Sequence, residues 1–440
     1  MKTLKVCYLC LIVLLVAIRA QAQANENPRW NATPDDINNL LKSLKQLVDV
    51  NYQMEIKSLG ELDVNPENNP IVYYSGHYNF SFSDDQRTKL KKYMLDGGMM
   101  IFNAGLGSAP FYRSAKEELA KIFPEAQLQR LSSDHPLFHA YYDVGRVEYS
   151  SGVSKSGFKG QEPWIDGVTM NCRTVAIVSR FGLAVGWDGG EVLAEYAAYM
   201  PESAQKMGVN ILSYATAQRG WAKESTAALQ FVDAVKSSAG MLGVVQVVYD
   251  GEWKTRHAGM SILLKTFNSK TDVPVKFVLK EKKLSDPSLF DVPMLYFTGH
   301  ENFRLSKSEA VRLREYLLNG GFVFAEACCG RKGFELSFRQ QLSRILPDHP
   351  MREIPGDHMI YSFPNNVSNV GVTPALAAQT SSSIRPKLMG IEINGYYGVV
   401  FSPYGMAGGW EMSQSPYAHG YNASGALLLG QNILMYAITQ

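Results

Sequence analysis

The strongest constraint on how this chain can fold is an internal duplication, because one long pattern occurs twice. The first copy starts at Pro70 and reaches a Gly-His pair at His77, and the second starts at Pro293 and reaches the same pair at His300. His300 lies 223 residues after His77, and this offset holds along both copies. Between positions 70 and 138 no gap is needed and roughly twenty positions are identical, far above chance for unrelated segments. The duplication predicts one fold used twice.

Length and charge are consistent with a duplicated globular protein. The chain has 440 residues, and each half is large enough to bury its own core. We expect a first domain over residues 25–220, a linker helix over 221–242 and a second domain over 243–440. The net charge is +2, so the composition gives no electrostatic reason to expect binding of nucleic acid.

Residues 1–24 have the composition of a secretory signal peptide, which is removed and takes no part in the fold. Lys2 and Lys5 give a positive start, and an apolar run over residues 6–18 is too short to cross a bilayer of about 30 Å as a helix. Small residues over 20–24 offer a cleavage region, although Arg19 is unusual there, so a retained anchor is the alternative. We expect an exported protein, periplasmic or extracellular, without a membrane span after signal cleavage.

Apolar runs alternate with capped amphipathic segments in both copies. Residues 71–75 and 294–298 are rich in large and β-branched side chains, which is typical of buried parallel strands. Ser83 and Ser306 each begin a capping box at the start of the helix that follows. The alternation predicts an α/β protein made of two tandem three-layer sandwiches with mostly parallel sheets.

The pattern also predicts where the two copies differ or meet. We expect strands over residues 50–56 and 273–279, a closing helix over 204–217, and a helix over 227–235 in the linker. A strand over 244–249 opens the second copy, and the matching positions of the first copy fall at the signal cleavage site. The first domain is therefore expected to lack that strand or to fill its place differently.

The second copy carries further sequence signatures. They are Tyr-Phe-Thr-Gly-His-x-x-Phe ending at Phe303, Gly-Gly-Phe-Val-Phe-Ala-Glu-x-Cys-Cys-Gly ending at Gly330, Ser-Phe-Arg at 337–339, and Asp357-His358. This pattern resembles an uncharacterised bacterial domain-of-unknown-function family that is itself similar to class I glutamine-amidotransferase-like domains. The resemblance covers both units and implies a flavodoxin-like fold in tandem, but no established activity. The Cys328 turn is only loosely like the elbow that carries the amidotransferase nucleophile.

Candidate functional residues are expected at the carboxyl ends of the strands, where ligands collect in open α/β sheets. His77 and His300 end one predicted strand; Asn103 and Glu326 end the next, with Cys328 just beyond. Each histidine could act as a general base or ligand, or order its turn through backbone hydrogen bonds. Glu326 beside His300 suggests an acid–base or metal pair, whereas Asn103 does not ionise, so a first-copy site would work differently.

The remaining candidates lie on later loops and turns: Asp134, His135, Asp357, His358, Trp187 and Trp410. An acid beside a histidine can orient a base or cap a loop, and the cap is the interpretation that we favour. The two indoles could hold a sugar ring or a partner, but a lid over the core fits their position better.

Three cysteines remain after the leader: Cys172, Cys328 and Cys329. An odd number without a regular spacing does not indicate a disulfide framework, and adjacent cysteines bridge only through a strained ring. We therefore expect Cys328 and Cys329 to be reduced. Cys328 could be a nucleophile if His300 or a helix start stabilised its thiolate; otherwise it is a small buried residue at a tight turn.

A metal held by His300, Glu326 and His358 would be chemically reasonable, but no ligand spacing specifies it, so no metal and no cofactor are assigned. The leading hypothesis is a non-catalytic binding or scaffold protein of the bacterial envelope, with a small molecule, a glycan or an envelope protein as its partner. The alternative is an amidase- or peptidase-like hydrolase in the second domain. Cys328 or a metal-bound water would be its nucleophile, His300 or His358 its base, and Glu326 would assist.

Overall fold

The computed structural model of the chain describes residues 12–19, 32–47, 51–233, 243–271, 273 and 279–440. The chain divides into two units. The first comprises Met1–Thr169 and Thr174–Ala222, and the second comprises Met170–Arg173 and Lys223–Gln440. A search of the described residues for helices that are long and apolar enough to span a membrane finds none.

The secondary structure of the first half alternates as the sequence pattern predicts. Its strands are β1 Ile12–Arg19, β2 Asn51–Lys57, β3 Ile71–Gly76, β4 Met99–Ala104, β5 Leu128–Arg130, β6 Ile165–Met170 and β7 Arg173–Ser179. Its helices are α1 Asp36–Leu47, α2 Asp84–Leu95, α3 Ala109–Ile122, α4 Ser151–Lys155, α5 Ala184–Trp187 and α6 Pro201–Asp233.

The second half repeats this order with additional short strands. Its strands are β8 Val244–Val248, β9 Lys280–Lys283, β10 Met294–Gly299, β11 Phe322–Ala327, β12 Arg352–Glu353, β13 Val370–Gly371, β14 Ser383–Ile384, β15 Met389–Ile393 and β16 Tyr396–Ser402. Its helices are α7 Gly259–Lys270, α8 Lys307–Leu318, α9 Lys332–Ile345, α10 Pro374–Ala377, α11 Ala407–Trp410 and α12 Ala423–Thr439.

Each half builds a mixed sheet with the same strand order. The first sheet has the order β2-β1-β3-β4-β7-β6-β5, and the second, read from its other edge, has the order β9-β8-β10-β11-β16-β15-β12. The first five strands of each order pair in parallel. β15 and β12 then extend the second sheet in the antiparallel direction. The structure thus confirms a tandem α/β protein with mostly parallel sheets.

The second sheet is buried on both faces, as the apolar runs of its strands predict. Along β10, Met294 and Tyr296 belong to one hydrophobic core, and the alternate residues Leu295 and Phe297 belong to another. The first core contains residues of α7 and α12, and the second contains residues of α8 and α9. Helices therefore cover both faces, because successive side chains of a strand point to opposite sides.

The residues predicted to cap the start of a helix form the expected hydrogen bonds in both copies. The Ser83 hydroxyl accepts a hydrogen bond from the Gln86 amide, and the Ser306 hydroxyl accepts one from the Glu309 amide, so both capping boxes form. The strand predicted over residues 50–56 is β2. Of the strand predicted over 273–279, only residues 273 and 279 are described, and β9 begins at Lys280.

Two parts of the first half differ from the expectations. The helix predicted over 204–217 runs on as α6 to Asp233, so the predicted linker helix is part of the same element up to that residue. One interior glycine, Gly220, costs only about 1 kcal/mol, and no proline follows it to end the helix.

The first sheet, expected to lack the strand equivalent to β8 or to fill its place differently, has β1 at that position. This strand pairs in parallel with β2 and β3, which is the position that β8 holds in the second sheet. β1 lies within the segment interpreted as a signal peptide, since a short apolar run rich in β-branched residues suits both a leader and a buried strand. The rest of residues 1–24 lies outside the described residues, and signal cleavage stays a prediction.

Candidate functional site

A cluster of three thiols and one imidazole lies in the second unit. Its members are Cys172, His300, Cys328 and Cys329, whose sulfur and ring nitrogen atoms all lie within 4.8 Å of one another. The Cys172 and Cys328 sulfurs are 3.0 Å apart, and those of Cys328 and Cys329 are 4.0 Å apart. His300 follows β10 and the two adjacent cysteines follow β11; these strands are parallel neighbours. The cluster therefore lies where the sequence predicts ligand binding, at the carboxyl ends of the strands.

The turn after β11 brings the two adjacent cysteines to one place. Residues Cys328–Gly330 form a single 3₁₀ turn in which Cys329 has the left-handed conformation, with φ of 55°. The first unit has the same kink, with Leu106 at φ of 52°. The kink is therefore a feature of the repeated backbone, and only the second copy places thiols on it.

Cys172 lies on the two-residue turn between β6 and β7, within residues 170–173 of the second unit. Asn171 and Cys172 both have positive φ, 51° and 63°. The equivalent turn between β15 and β16 has Asn394 and Gly395 at φ of 54° and 87°. Such turns favour Asn-Gly, and a non-glycine residue in the left-handed region costs about 1 to 2 kcal/mol. Cysteine thus replaces the residue that the turn prefers, which indicates a role for its side chain.

The imidazole of His300 is oriented by a buried carboxylate. Its Nδ1 lies 2.9 Å from Oε2 of Glu252, and both side chains are at most 10% exposed. With the Nδ1 proton donated to Glu252, the Nε2 atom is left for the thiols. Burial lowers the pKa of His300, but interactions with Cys328, Cys329 and Glu252 outweigh it and raise the pKa well above its usual range.

The charge of the cluster is concentrated on one sulfur. Hydrogen bonds with the Cys172 and Cys328 thiols lower the pKa of Cys329 well below its usual range. Burial raises the pKa of Cys328 and that of Cys172. The buried guanidinium of Arg256 attracts the thiolates, and its Nη1 lies 2.9 Å from Oε2 of Glu411. A Cys329 thiolate is therefore stabilised by its neighbouring thiols, by His300 and by Arg256.

Glu326, predicted as an acid or a ligand, instead makes structural hydrogen bonds. It is fully buried, and one carboxylate oxygen accepts from the Tyr296 hydroxyl at 2.7 Å. The other oxygen accepts from the backbone amides of Met406 and Ala407, which begin the turn into α11. Glu326 therefore ties the end of β11 to that turn.

Asn103 makes the equivalent contacts in the first unit. Its Oδ1 accepts from the Leu183 amide at 2.9 Å, and its Nδ2 donates to the Tyr73 hydroxyl at 3.1 Å. Leu183 is the counterpart of Met406 and Tyr73 is the counterpart of Tyr296 at the common offset. The Asn103 and Glu326 positions thus share a structural role.

His135 and His358 cap short 3₁₀ turns, which fits the interpretation favoured from the sequence. Nδ1 of His135 accepts from the Leu137 amide, and Nδ1 of His358 accepts from the Ile360 amide. The His358 ring packs against Tyr397 and Tyr436, with ring centroids 5.2 and 5.4 Å apart. His358 is not a member of the thiol cluster.

The acids that precede these histidines, Asp134 and Asp357, are not members of the thiol cluster either. Asp134 accepts a hydrogen bond from the Ser132 hydroxyl. Burial lowers the pKa of His358, against which the charge of Asp357 acts. The histidine that follows each acid is used as a cap.

Both tryptophans are core residues. The Trp187 indole donates to the Ala204 carbonyl at 2.7 Å, and the Trp410 indole donates to the Ala426 carbonyl at 2.8 Å. They are 4% and 0% exposed, so neither ring offers a face to a sugar or a partner. Trp187 and Trp410 therefore match the interpretation as lids over the core and do not match a role in binding a sugar or a partner.

The first unit holds a histidine without thiols at the place of the cluster. Nδ1 of His77 lies 2.9 Å from the Gly105 carbonyl oxygen, which is the backbone role considered for it. A Cβ on Gly105 would lie 2.4 Å from the His77 ring, so a cysteine cannot fit there as Cys328 does in the second copy. Burial lowers the pKa of His77, in contrast to His300.

His300 and Cys328 are predicted from the sequence to lie at neighbouring strand ends, and the structure places them in one cluster. The sequence pattern does not predict the contributions of Glu252 and Arg256 or the meeting of all three cysteines. A signal for Glu252 was present, because it follows β8 and therefore lies at the same sheet edge as His300. A signal for Cys172 was its alignment with Gly395.

One protein-family model matches the chain twice, over residues 17–216 and 243–438, and its description is Domain of unknown function (DUF4159). No curated protein matches the chain.

Proposed function

We propose that the chain, which belongs to this family of unknown function and carries its domain twice, is a non-catalytic binding or scaffold protein of the bacterial envelope. Its functional centre is the thiol and imidazole cluster of the second unit, and the first unit is a structural partner. The molecule bound at this sheet edge is a small molecule, a glycan or another envelope protein.

One observation carries the non-catalytic proposal: the four side chains that the hydrolase hypothesis would bring together, His300, Glu326, Cys328 and His358, do not all converge. His300 and Cys328 share one cluster, but the Glu326 carboxylate accepts hydrogen bonds from Tyr296 and from two backbone amides. His358 caps a separate turn. A catalytic acid or base must lie within hydrogen-bonding reach of the group it serves, and these two residues are committed elsewhere.

The fold that we propose for each domain is flavodoxin-like and similar to class I glutamine amidotransferases. Support comes from the five parallel strands, which in chain order within each unit are arranged 2-1-3-4-5. This is the order of flavodoxin-like sheets, in which ligands bind at the carboxyl ends of the strands.

A turnover assay tests the non-catalytic proposal. The full chain, a Cys329→Ser variant and a Leu106→Ala control, which alters the matching turn of the first unit, are incubated with a panel of amide, peptide and ester substrates. We expect the same background rate from all three proteins. Turnover that Cys329→Ser abolishes and Leu106→Ala retains would overturn the proposal.

A hydrolase is the second candidate, and the position of Cys329 favours it over Cys328 as nucleophile. Cys328 is 1% exposed, whereas Cys329 is half-buried. Cys329 lies in a left-handed conformation on the turn from β11 to α9, and His300 is a member of the same cluster. A low thiol pKa beside a histidine is the usual arrangement of a cysteine nucleophile.

The envelope location can be tested by cell fractionation and intact mass. Signal cleavage in the region of residues 20–24 would remove β1, so the segment cannot be both a removed leader and a strand of the mature sheet. We expect a mature chain that begins between residues 21 and 25 in the envelope or secreted fraction. A full-length chain confined to the cytoplasm would contradict export.

A further inference from the structure

We propose that Cys172, His300, Cys328 and Cys329 together bind one divalent transition-metal ion of the zinc class. The inference rests on the proposed binding function, because it names the ion held at the functional centre of the second unit. A site closed by four protein ligands supports a binding or scaffold role, since catalytic zinc sites keep one position open for water.

The chemistry of the donors selects this class of ion. Three thiolates and one imidazole are soft or intermediate ligands, which suit Zn²⁺ and disfavour Mg²⁺ and Ca²⁺. Three cysteines with one histidine is a common set in structural zinc sites. The cluster contains no carboxylate ligand; the carboxylate of Glu252 binds the far side of the imidazole.

The spacing of the donors fits one ion. Sulfurs bound to a tetrahedral zinc ion at about 2.3 Å lie about 3.8 Å apart. The Cys328 and Cys329 sulfurs are 4.0 Å apart, and no pair of donor atoms in the cluster is separated by more than 4.8 Å. The Cys172 and Cys328 sulfurs, at 3.0 Å, would separate by less than about 1 Å. Only small side-chain movements are needed.

The surroundings of the cluster resemble those of a metal site. Metal-binding histidines almost always donate their other ring N–H to a carboxylate or a carbonyl, and His300 has Glu252 in that position at 2.9 Å. Three thiolates around a divalent cation leave one negative charge, and Arg256 is a buried cation beside them. Arg256 is held in turn by Glu411, so the charge is accommodated inside the unit.

The first unit has the same backbone turn but lacks the thiols proposed as metal ligands. At the equivalent positions the first unit has Gly105 and Leu106 in place of the adjacent cysteines, and the turn equivalent to that of Cys172 has Gly395. His77 directs Nδ1 to a backbone carbonyl and has no carboxylate partner like Glu252 among its described hydrogen bonds. The arrangement therefore predicts one ion per chain.

The test measures metal in the full chain, purified under anaerobic conditions with a phosphine reductant and loaded with Zn²⁺ or Co²⁺. We expect one ion per chain by elemental analysis. The Co²⁺ form should show the intense sulfur-to-cobalt charge-transfer absorption and the visible bands of tetrahedral thiolate coordination. This spectrum requires no variant, so it identifies cysteine ligands even where a substitution impairs folding.

Variants then locate the ion. Cys329→Ala should lose the ion or weaken its binding at least a hundredfold, while Leu106→Ala, the matching change in the first unit, should retain it at the wild-type level. Circular dichroism confirms that each variant is folded. The proposal is overturned if the reduced chain binds neither ion, or if Co²⁺ gives no sulfur charge-transfer band. It is also overturned if a folded Cys329→Ala protein binds as tightly as the wild type.

A disulfide bond between Cys172 and Cys328 is an alternative explanation for the short distance between their sulfur atoms. If the protein isolated from cells contains no metal and its intact mass shows this bond, the metal proposal fails. Failure of the proposed function is a different result: turnover lost in Cys329→Ser overturns the non-catalytic role whatever the metal content, and absence of metal leaves that role untouched.

Discussion

The two halves of this protein have the same sheet order but contain different chemistry. In both, a polar residue at the end of the fourth strand accepts a hydrogen bond from a backbone amide of the next turn: Asn103 from Leu183, and Glu326 from Met406. In both, a tryptophan donates to a carbonyl of the last helix. The second half alone has cysteines on the turn after that strand.

The two halves differ in which residues hold the fold together and which form the candidate centre. Residues kept at matched positions, such as Trp187 and Trp410, prove to hold the fold together. The three thiols of the cluster differ between the copies, with Cys328 and Cys329 replacing Gly105 and Leu106, whereas its histidine, His300, has a counterpart in His77. The cysteines, and not the retained residues, therefore distinguish the candidate centre of the second unit from the equivalent place in the first.

A second difference shows how a buried tyrosine keeps its acid partner. The Tyr296 hydroxyl donates to Glu326 on β11, whereas the Tyr73 hydroxyl donates to Asp36 on α1. The position equivalent to Asp36 in the second half is Gly259. The acid has thus changed elements while its contact with the tyrosine is retained.

The largest expected effect is on stability, from removing either tryptophan. Trp187→Ala and Trp410→Ala should each lower the free energy of unfolding of their unit by about 3 to 5 kcal/mol, because a large buried side chain and its hydrogen bond are lost. Denaturant unfolding of both variants measures this. If Trp410→Ala had normal stability but no longer bound the protein's ligand, the indole would have a binding role and not a structural one.

The next effect concerns the acid that ends β11. Glu326→Ala should destabilise the second unit by about 2 to 4 kcal/mol, because buried amide and hydroxyl groups lose their acceptor. Glu326→Gln should cost much less, since an amide reproduces the arrangement of Asn103 in the first unit. Equal losses for the two variants in denaturant unfolding would show that the carboxylate itself is required.

A pH effect is expected on the stability of the first unit. Burial raises the pKa of Asp36 from 3.8 to about 6. The folded unit therefore binds this proton more tightly than the unfolded chain does, and the resulting stability is complete below pH about 4 and lost as pH rises through about 6. The loss by neutral pH is about 2 to 3 kcal/mol.

Unfolding measured between pH 4 and 7.5 in the wild type and in Asp36→Asn tests this sign. The variant cannot titrate at this position, so its stability should fall less over that range. A wild-type pH dependence that Asp36→Asn leaves unchanged would show that the carboxyl is not the group responsible.

The smallest expected effect is on metal affinity, through the group that orients His300. Glu252→Gln should weaken Zn²⁺ binding about tenfold to a hundredfold without changing the number of sulfur ligands. Competition with a chromophoric chelator measures the affinity, and the Co²⁺ spectrum counts the thiolates. An unchanged affinity would mean that Glu252 does not act through the imidazole.

Much of the architecture could be predicted from the sequence because its signals are local. The capping boxes at Ser83 and Ser306 and the apolar strand runs form as expected. The strand ends at His300 and Cys328 also meet as expected, since parallel neighbours share an edge. The role of residues 12–19 could not be decided, because one apolar run satisfies the requirements of a leader and of a buried strand.

The rest of the site depends on contacts that are distant along the chain. Cys172 and Cys328 are 156 positions apart, and only the hairpin between β6 and β7 brings the first of them into the cluster. Periodicity and capping carry no information about such a contact. The structural use of Glu326 was equally hidden, because a carboxylate at a strand end has the same local pattern whether it serves chemistry or the backbone.

The most direct test of a single centre in the second unit is X-ray absorption at the zinc edge of the Zn²⁺-loaded full chain. The account predicts one zinc per chain with three sulfur ligands at about 2.3 Å and one nitrogen at about 2.0 to 2.1 Å. A zinc shell made only of oxygen and nitrogen, or two zinc ions per chain, would contradict it.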